Sequence, residues 1–376
     1  MTACRYFATC ARGLEPILAV ELRDLAANDI VPGRGGVAFA GDRALLYRAN
    51  LWLRTAVRVL WPVLEAEIDS YDSLYEAVRS LDWSRFMTPD HTLAVDCNVR
   101  DSALTHSQFA SRRVKDAICD QFREACGRRP SVDPETPMVG LNLHVYRNNA
   151  TLSLDSSGVS LHKRGYRPVL TVAPLNEALA AALVLRSGWR GESPFADPMC
   201  GSGSLPIEAA WIALHRPPGL TRKRFGFQGW MDFQVAEWAA IRDEARRGVA
   251  KRLAYPIVGS DHRRDVTEFA RSNARAAGVG NLIEFAPCDV RQAVPPPGPP
   301  GTLICNPPYG ERIGEEKELR SLYRAMGVAF RERWAGWRVW VFTGNKPLAR
   351  EIALEPLEVV ALFNGKIPCE LTRYDV

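Results

Sequence analysis

The stretch PFADPMCGSGSLPIEAAWIAL, residues 194–214, decides the fold. Phe195 and Ala196 begin a short apolar run that Asp197 ends. Gly201 and Gly203 follow, and an apolar segment with helical spacing continues from Ser204. Strand, glycine loop and helix in that order form the opening unit of a parallel α/β sheet. The glycines let the backbone approach a ligand closely, and the first turn of the helix offers free N–H donors. The third glycine of a dinucleotide fingerprint would fall where Pro206 stands, and no Lys-Ser/Thr pair closes the loop. Phosphate binding is therefore disfavoured. An acid at the head of the loop suits a ligand that carries an ammonium group, such as the methionine part of S-adenosylmethionine; a plain tight turn is the alternative.

Downstream, the same rhythm repeats. PIVGSDHRRDVTEFARSNARAAG, residues 256–278, reads as strand, acidic turn and helix, with Asp261 at the strand end. A carboxylate there accepts from both hydroxyls of a ribose, although Asp261 alone could equally be a helix N-cap. It lies much further from the glycine loop than the usual spacing of about 20 residues. The extra length is RPPGLTRKRFGFQGWMDFQ, residues 216–234, an aromatic and basic insertion. Asp289, in IEFAPCDV, ends a third strand. It could accept the exocyclic amine of adenine while the Val290 N–H meets a ring nitrogen. Acids at three successive strand ends share the edge at which open α/β sheets bind ligands.

TLICNPPYG, residues 302–310, ends a fourth strand in a stiff corner. Prolines are excluded from strand interiors, so the corner is deliberate. The amine of a nucleobase is a poor nucleophile because its lone pair is delocalised. The Asn306 side-chain oxygen and the Pro307 carbonyl can each accept one amine hydrogen and hold that nitrogen in line with a sulfonium methyl. Pro307 and Pro308 keep the corner rigid, and Tyr309 offers a face on which a base can stack. Beyond it, Asn364-Gly365 between apolar runs predicts a hairpin that closes the sheet.

The first half has a different pattern. YFATCA, GGVAFAGD and VRVLWPVLEAEI read as strands, with GLEPILAVELRDLAA and RALLYRANLWLRTA as helices between them. Residues 69–158 repeat the mixture, with helices at YDSLYEAVRSL and SQFASRRVKDAICDQFREAC and a hairpin about RNNA. Ser70 or Asp69 can cap the first of these helices. Arg112, Arg113 and Lys115 lie near the start of the second, where positive charge opposes the helix dipole, which suggests another use for them.

The chain has 376 residues and a net charge of +5, with 47% hydrophobic and 24% charged residues. These values suit a soluble protein of two or three domains. No run approaches the length of a membrane span, and Arg5, Arg12 and Glu15 interrupt any signal-peptide core, so a cytoplasmic location is expected. The nine cysteines form no C-x-x-C pair and the histidines no ligand spacing, so neither disulfides nor a metal site are expected. Basic clusters at Arg112, Arg113 and Lys115, at Arg128 and Arg129, at Lys163, Arg164 and Arg167, and at Arg222, Lys223 and Arg224 favour a polyanion partner.

Taken together, DPMCGSGSLPIEAA, GSD, CDV and NPPYGER resemble the class I S-adenosylmethionine-dependent methyltransferases that act on amino groups. More narrowly, the chain resembles the THUMP-domain RNA guanine-N2 methyltransferases. FATCARGLEPILAVELRDL, LDSSGVSLHKRGYR, APLNEALAAALVLRSGW and GLTRKRFGFQGW extend that resemblance over nearly the whole chain, toward the bacterial family that forms N2-methylguanosine in large-subunit ribosomal RNA. It implies an α/β protein with a ferredoxin-like domain over 1–68, a THUMP domain over 69–158 and a Rossmann-like methyltransferase domain over 159–376. It further implies that Asp197, Pro198, Cys200, Gly201, Gly203, Ser204, Asp261, His262, Asp289, Val290 and Asn306 line the cofactor site. Catalysis is assigned to Asn306, Pro307, Pro308 and Tyr309, and RNA contact to Arg112, Arg113, Lys115, Arg164, Arg167, Arg222, Lys223 and Arg224. Ser204 stands where threonine is usual, and His262 where a small or apolar residue is common. Some relatives carry a second methyltransferase domain; the chain ends at Val376, and no second modification activity is expected.

Ribosomal RNA is the preferred substrate, with transfer RNA as the near alternative. A protein glutamine-N5 methyltransferase shares the N-P-P-Y corner but does not explain the basic first half, and a DNA adenine-N6 enzyme fits less well. A C5-pyrimidine enzyme would need a nucleophilic cysteine, for which Cys305 is the one candidate beside the corner. A pure RNA-binding module leaves the strand-end acids unexplained. The oligomeric state is left open.

Overall fold

The computed structural model describes residues 4–167, 175–310 and 316–376. Expectations placed on the end of the basic link after Arg167 and on Glu311 and Arg312 of NPPYGER lie outside the described residues.

The first half comprises β1 (Cys4–Cys10), α1 (Glu15–Asp24), β2 (Asn28–Gly33), β3 (Gly36–Gly41), α2 (Arg43–Trp52), β4 (Ala56–Glu67), α3 (Tyr71–Arg79), β5 (Thr92–Arg100), α4 (Ser107–Cys126), β6 (Ser131–Val132), β7 (Val139–Tyr146) and β8 (Asn149–Asp155). Its strands form one sheet in the order β2-β3-β1-β4-β8-β7-β5-β6. β4 joins the two small folds that the sequence separates at residue 68. It pairs with β1 at Phe7↔Leu60 and Ala8↔Val59, and with β8 from Leu60↔Asp155 to Glu67↔Asn149. Pro62, which has no N–H to donate, sits where the β4–β8 register shifts. β2 escapes the sequence pattern because it is a largely exposed edge strand containing Pro32. Ser70 caps α3 through reciprocal bonds with Ser73, and Gly127 ends α4 in the left-handed region at φ 70°.

The second half comprises α5 (Glu177–Arg186), β9 (Phe195–Asp197), α6 (Ser204–Ala213), α7 (Val235–Arg247), β10 (Ile257–Asp261), α8 (Arg264–Ala276), β11 (Ile283–Pro287), β12 (Thr302–Cys305), α9 (Glu316–Arg333), β13 (Arg338–Thr343), α10 (Lys346–Glu351), β14 (Glu358–Asn364) and β15 (Ile367–Asp375). The sheet order is β11-β10-β9-β12-β13-β15-β14. β9 to β13 run parallel, and β15 is antiparallel to both β13 and β14. Strand order reverses between β9 and β12, so the ligand crevice lies at their C-terminal ends. The closing hairpin forms one step away from the expected turn. Asn364 pairs with Ile367 as the last strand residue, and Gly365 carries the positive φ of 62°.

The two halves interlock through the insertion. Phe227 is fully buried with its ring centroid 4.5 Å from that of Tyr47 on α2, and Phe225 stacks on it at 5.4 Å. Trp238 meets both insertion rings edge-on. The aromatic rings of the insertion are therefore core. A buried polar seam runs alongside. Glu21 accepts from the Arg54 N–H (2.7 Å), the Thr55 N–H (3.1 Å) and the Thr55 hydroxyl. Arg54 donates to the carbonyls of Trp211 (3.3 Å) and Arg216 (2.9 Å), and Tyr166 donates to Glu208 Oε1 (3.1 Å). The bond from Arg54 to the Trp211 carbonyl ties the first half to α6, the helix that follows the glycine loop.

Candidate active site

The glycine loop is held by backbone hydrogen bonds. Cys200 N–H donates to the Ser260 carbonyl (2.8 Å), and Gly203 N–H donates to the Cys200 carbonyl (2.8 Å). Gly201 and Gly203 have φ of 52° and 83°. A Cβ on Gly203 would lie 3.1 Å from the Ala270 Cβ, so loop and α8 pack too closely for a side chain there. Asn273 on α8 donates to the Ser202 carbonyl (3.0 Å) from a fully buried position.

Beside this loop two of the strand-end acids come together, Asp197 and Asp261. Asp197 is 2% exposed and accepts from the Met199 N–H (3.1 Å). Burial, followed by the repulsion of Asp261, drives its carboxyl well above the usual carboxylate range. Asp261 accepts from the Gly201 N–H (3.2 Å) and the Arg263 N–H (3.0 Å), which links the second strand end to the loop. A cation set between the two carboxylates would relieve both the burial and the repulsion. His262 is exposed beside them, its Nδ1 3.3 Å from Asp261 Oδ1. Asp289 accepts from the Arg291 N–H (2.8 Å), and Val290 beneath it is buried.

The NPPY corner follows β12. Asn306 Oδ1 is buried and has no hydrogen-bond partner among the described residues. A stranded acceptor costs free energy that a ligand donor would recover. Tyr323 on α9 donates to the Pro308 carbonyl (3.3 Å) and shares a hydrogen bond of 2.9 Å with the Thr343 hydroxyl, which fixes the corner from below. Tyr309 is half-buried, and its hydroxyl accepts from Asn364 Nδ2 (2.8 Å). Burial, reinforced by Asp197, pushes the fully buried Cys305 thiol well above its usual range, so it is no thiolate nucleophile.

The structure removes three arginines from the expected RNA surface. Arg164 is 2% exposed and donates to the carbonyls of Leu161 (2.6 Å) and Arg54, with Nε 3.6 Å from Glu208. Arg167 turns inward to the cofactor loop, where it donates to Ser204 Oγ (2.7 Å) and the Leu175 carbonyl and pairs with Glu177 at 3.5 Å. Arg222 donates to the carbonyls of Ser160 (3.0 Å), Ser157 (3.3 Å) and Val159. A guanidinium committed to interior carbonyls is not available to a phosphate. Arg112, Lys223 and Arg224 are exposed. Arg113 pairs with Asp72 (2.7 Å) and Lys115 with Asp116 (2.5 Å) on the surface. Sequence reasoning missed Arg167 as a neighbour of Ser204, and it missed Asn273, Tyr323, Thr343 and Asn364. Each acts across a separation of 15 to 71 residues that no local motif spans.

Residues 164–373 match the family described as "RMKL-like, methyltransferase domain". The chain belongs to this methyltransferase family. Residues 69–155 match the THUMP domain, and residues 5–60 the RlmL ferredoxin-like domain. Among curated relatives, "Ribosomal RNA large subunit methyltransferase K/L" of Syntrophotalea carbinolica is 46% identical over 99% of this chain and 53% of its own length. The chain thus spans about half of that relative. "Putative RNA methyltransferase slr0064" of Synechocystis sp. is 43% identical over 99% of this chain and 96% of its own. Among solved structures, SMU.472, described as "a putative methyltransferase complexed with SAH", superposes with a TM-score of 0.92 at 30% identity, covering 100% of this chain and 98% of its own.

Proposed function

We propose that this methyltransferase uses S-adenosylmethionine to methylate the exocyclic N2 of a guanosine in large-subunit ribosomal RNA. The observation that carries the reading is the stranded Asn306 Oδ1 at the end of β12, in the same crevice as the buried acid Asp197. The donor molecule supplies an electrophilic methyl on a sulfonium. The residues fit it: Asp197 would accept from its ammonium group, Asp261 from its ribose hydroxyls, and Asp289 with the Val290 N–H would meet its adenine. Asn306 Oδ1 and the Pro307 carbonyl accept the two hydrogens of the target amine and orient its nitrogen toward the methyl. Tyr309 provides the stacking face. The proton leaves a nitrogen made acidic by methylation, so no dedicated base is required.

RNA is favoured over a protein glutamine because residues 69–155 match the THUMP domain and both curated relatives are named as RNA methyltransferases. The name of the Syntrophotalea relative points to ribosomal rather than transfer RNA. Mass-spectrometric mapping of rRNA and tRNA from a strain lacking the protein tests this. Loss of one N2-methylguanosine from large-subunit rRNA is expected; loss from tRNA alone would move the assignment to the alternative.

A further inference from the structure

Tyr309 is held on two sides. Its ring lies against the backbone just after β13, where a Cβ on Gly344 would come within 2.9 Å of Cε2 and 3.0 Å of Cδ2. Its hydroxyl accepts from Asn364 Nδ2 at 2.8 Å. One contact fixes the height of the ring and the other fixes its tip. Asn364 is not explained by the turn it adjoins, because Gly365 carries the positive φ and Asn364 is the last paired residue of β14. Asparagine is disfavoured in strands, and a strand position that holds one needs another reason for it.

The strand bearing Asn364 is itself braced from the first half of the chain. The Arg12 guanidinium lies 4.6 Å from the ring centroid of Phe363, next to Asn364. Gly13, at φ 90°, passes so close that a Cβ would be 3.3 Å from the Ala361 carbonyl. Glu15 holds that turn, accepting from the N–H groups of Gly13 (2.7 Å) and Gly35 (2.9 Å).

We infer that Asn364 is a positioning residue for methyl transfer. It locks the Tyr309 ring in the plane on which the target base stacks, so that the base meets Asn306 without first having to order the ring. This rests on the reading above that Tyr309 faces the base. A ring ordered in advance leaves less conformational freedom to be lost on binding. The effect falls on the bound complex that reacts, and not on the cofactor, whose contacts come from β9, β10 and β11.

The test has two arms. In protein labelled with fluorotyrosine, the Tyr309 ¹⁹F resonance is assigned by its loss in Tyr309→Phe. Asn364→Ala should shift or broaden that resonance, and Asn364→Gln should restore it in part. In the second arm, single-turnover methylation at saturating RNA is measured for Asn364→Ala, Tyr309→Phe and the double variant. Each single change should slow transfer about 3- to 10-fold, the size of one hydrogen bond, and the double should be no slower than the worse single. Affinity for S-adenosylmethionine should stay within about twofold of the parent, because neither residue is among its contacts. An unmoved ¹⁹F resonance, or additive rate losses, would overturn the inference even in a protein that methylates guanine. If the two residues remain coupled but the methylated product is not N2-methylguanosine, the positioning role stands and the substrate assignment falls.

Discussion

At the scale of single residues, Asp197 shows function set against stability. Its carboxyl is driven up by burial and then by Asp261. A carboxyl with a raised folded-state pKa favours folding below the unfolded value of about 3.9, and that contribution is lost as pH rises through the folded value. As pH rises, the cofactor-free protein therefore bears a growing cost at this carboxyl, which a bound ammonium group offsets. Asp197→Asn should raise the melting temperature of the cofactor-free protein at pH 8, with a smaller gain near pH 4. It should also weaken S-adenosylmethionine binding about 10- to 100-fold, the range for losing a charged hydrogen bond. Calorimetry and thermal melts on one preparation check both signs. Asn306→Ala should do the reverse, leaving cofactor affinity nearly intact while single-turnover transfer falls about 100-fold or more. These residues were legible in the sequence because each acid ends an apolar run and the NPPY corner interrupts a strand. Asn364 and Arg167 were not. Their partners, Tyr309 and Ser204, lie 55 and 37 residues away, and only the folded sheet brings them together.

At the scale of elements, most strands and helices were legible from periodicity, and the missed strands share one cause. β2 and β6 are exposed edges with little apolar pattern to read. The arginine clusters looked alike in sequence, because charge along a chain does not reveal which side chains fold inward. Burial sorted them, sending Arg164, Arg167 and Arg222 to interior carbonyls. The insertion is ambiguous on the same grounds, since aromatic residues among basic ones suit both a surface and a core. Its rings close around Tyr47. Phe227→Ala, at a fully buried site, should cost about 3–5 kcal/mol of stability. The denaturant midpoint should fall accordingly, and a loss under about 1 kcal/mol would show that the insertion is not core.

At the scale of the whole molecule, the first half and the methyltransferase half are joined by the polar seam at Glu21 and Arg54, by the insertion and by the Arg12–Phe363 contact. If the first half holds RNA, as proposed, these joints keep that RNA in register with the crevice. The exposed cations should read phosphates, not bases. Changing Arg112, Lys223 and Arg224 together to alanine should weaken binding to all RNA sequences and reduce the salt slope by about 2 to 3, one unit or slightly less per phosphate contact. An unchanged slope in filter-binding titrations would place the RNA elsewhere. The most direct test of the central claim is the identity of the product. Purified protein, deuteromethyl-labelled S-adenosylmethionine and unmodified large-subunit rRNA are incubated together, and the RNA is digested to nucleosides for mass spectrometry. The account predicts label in N2-methylguanosine. Label in N6-methyladenosine, or label absent from RNA and present on protein glutamine, would contradict it.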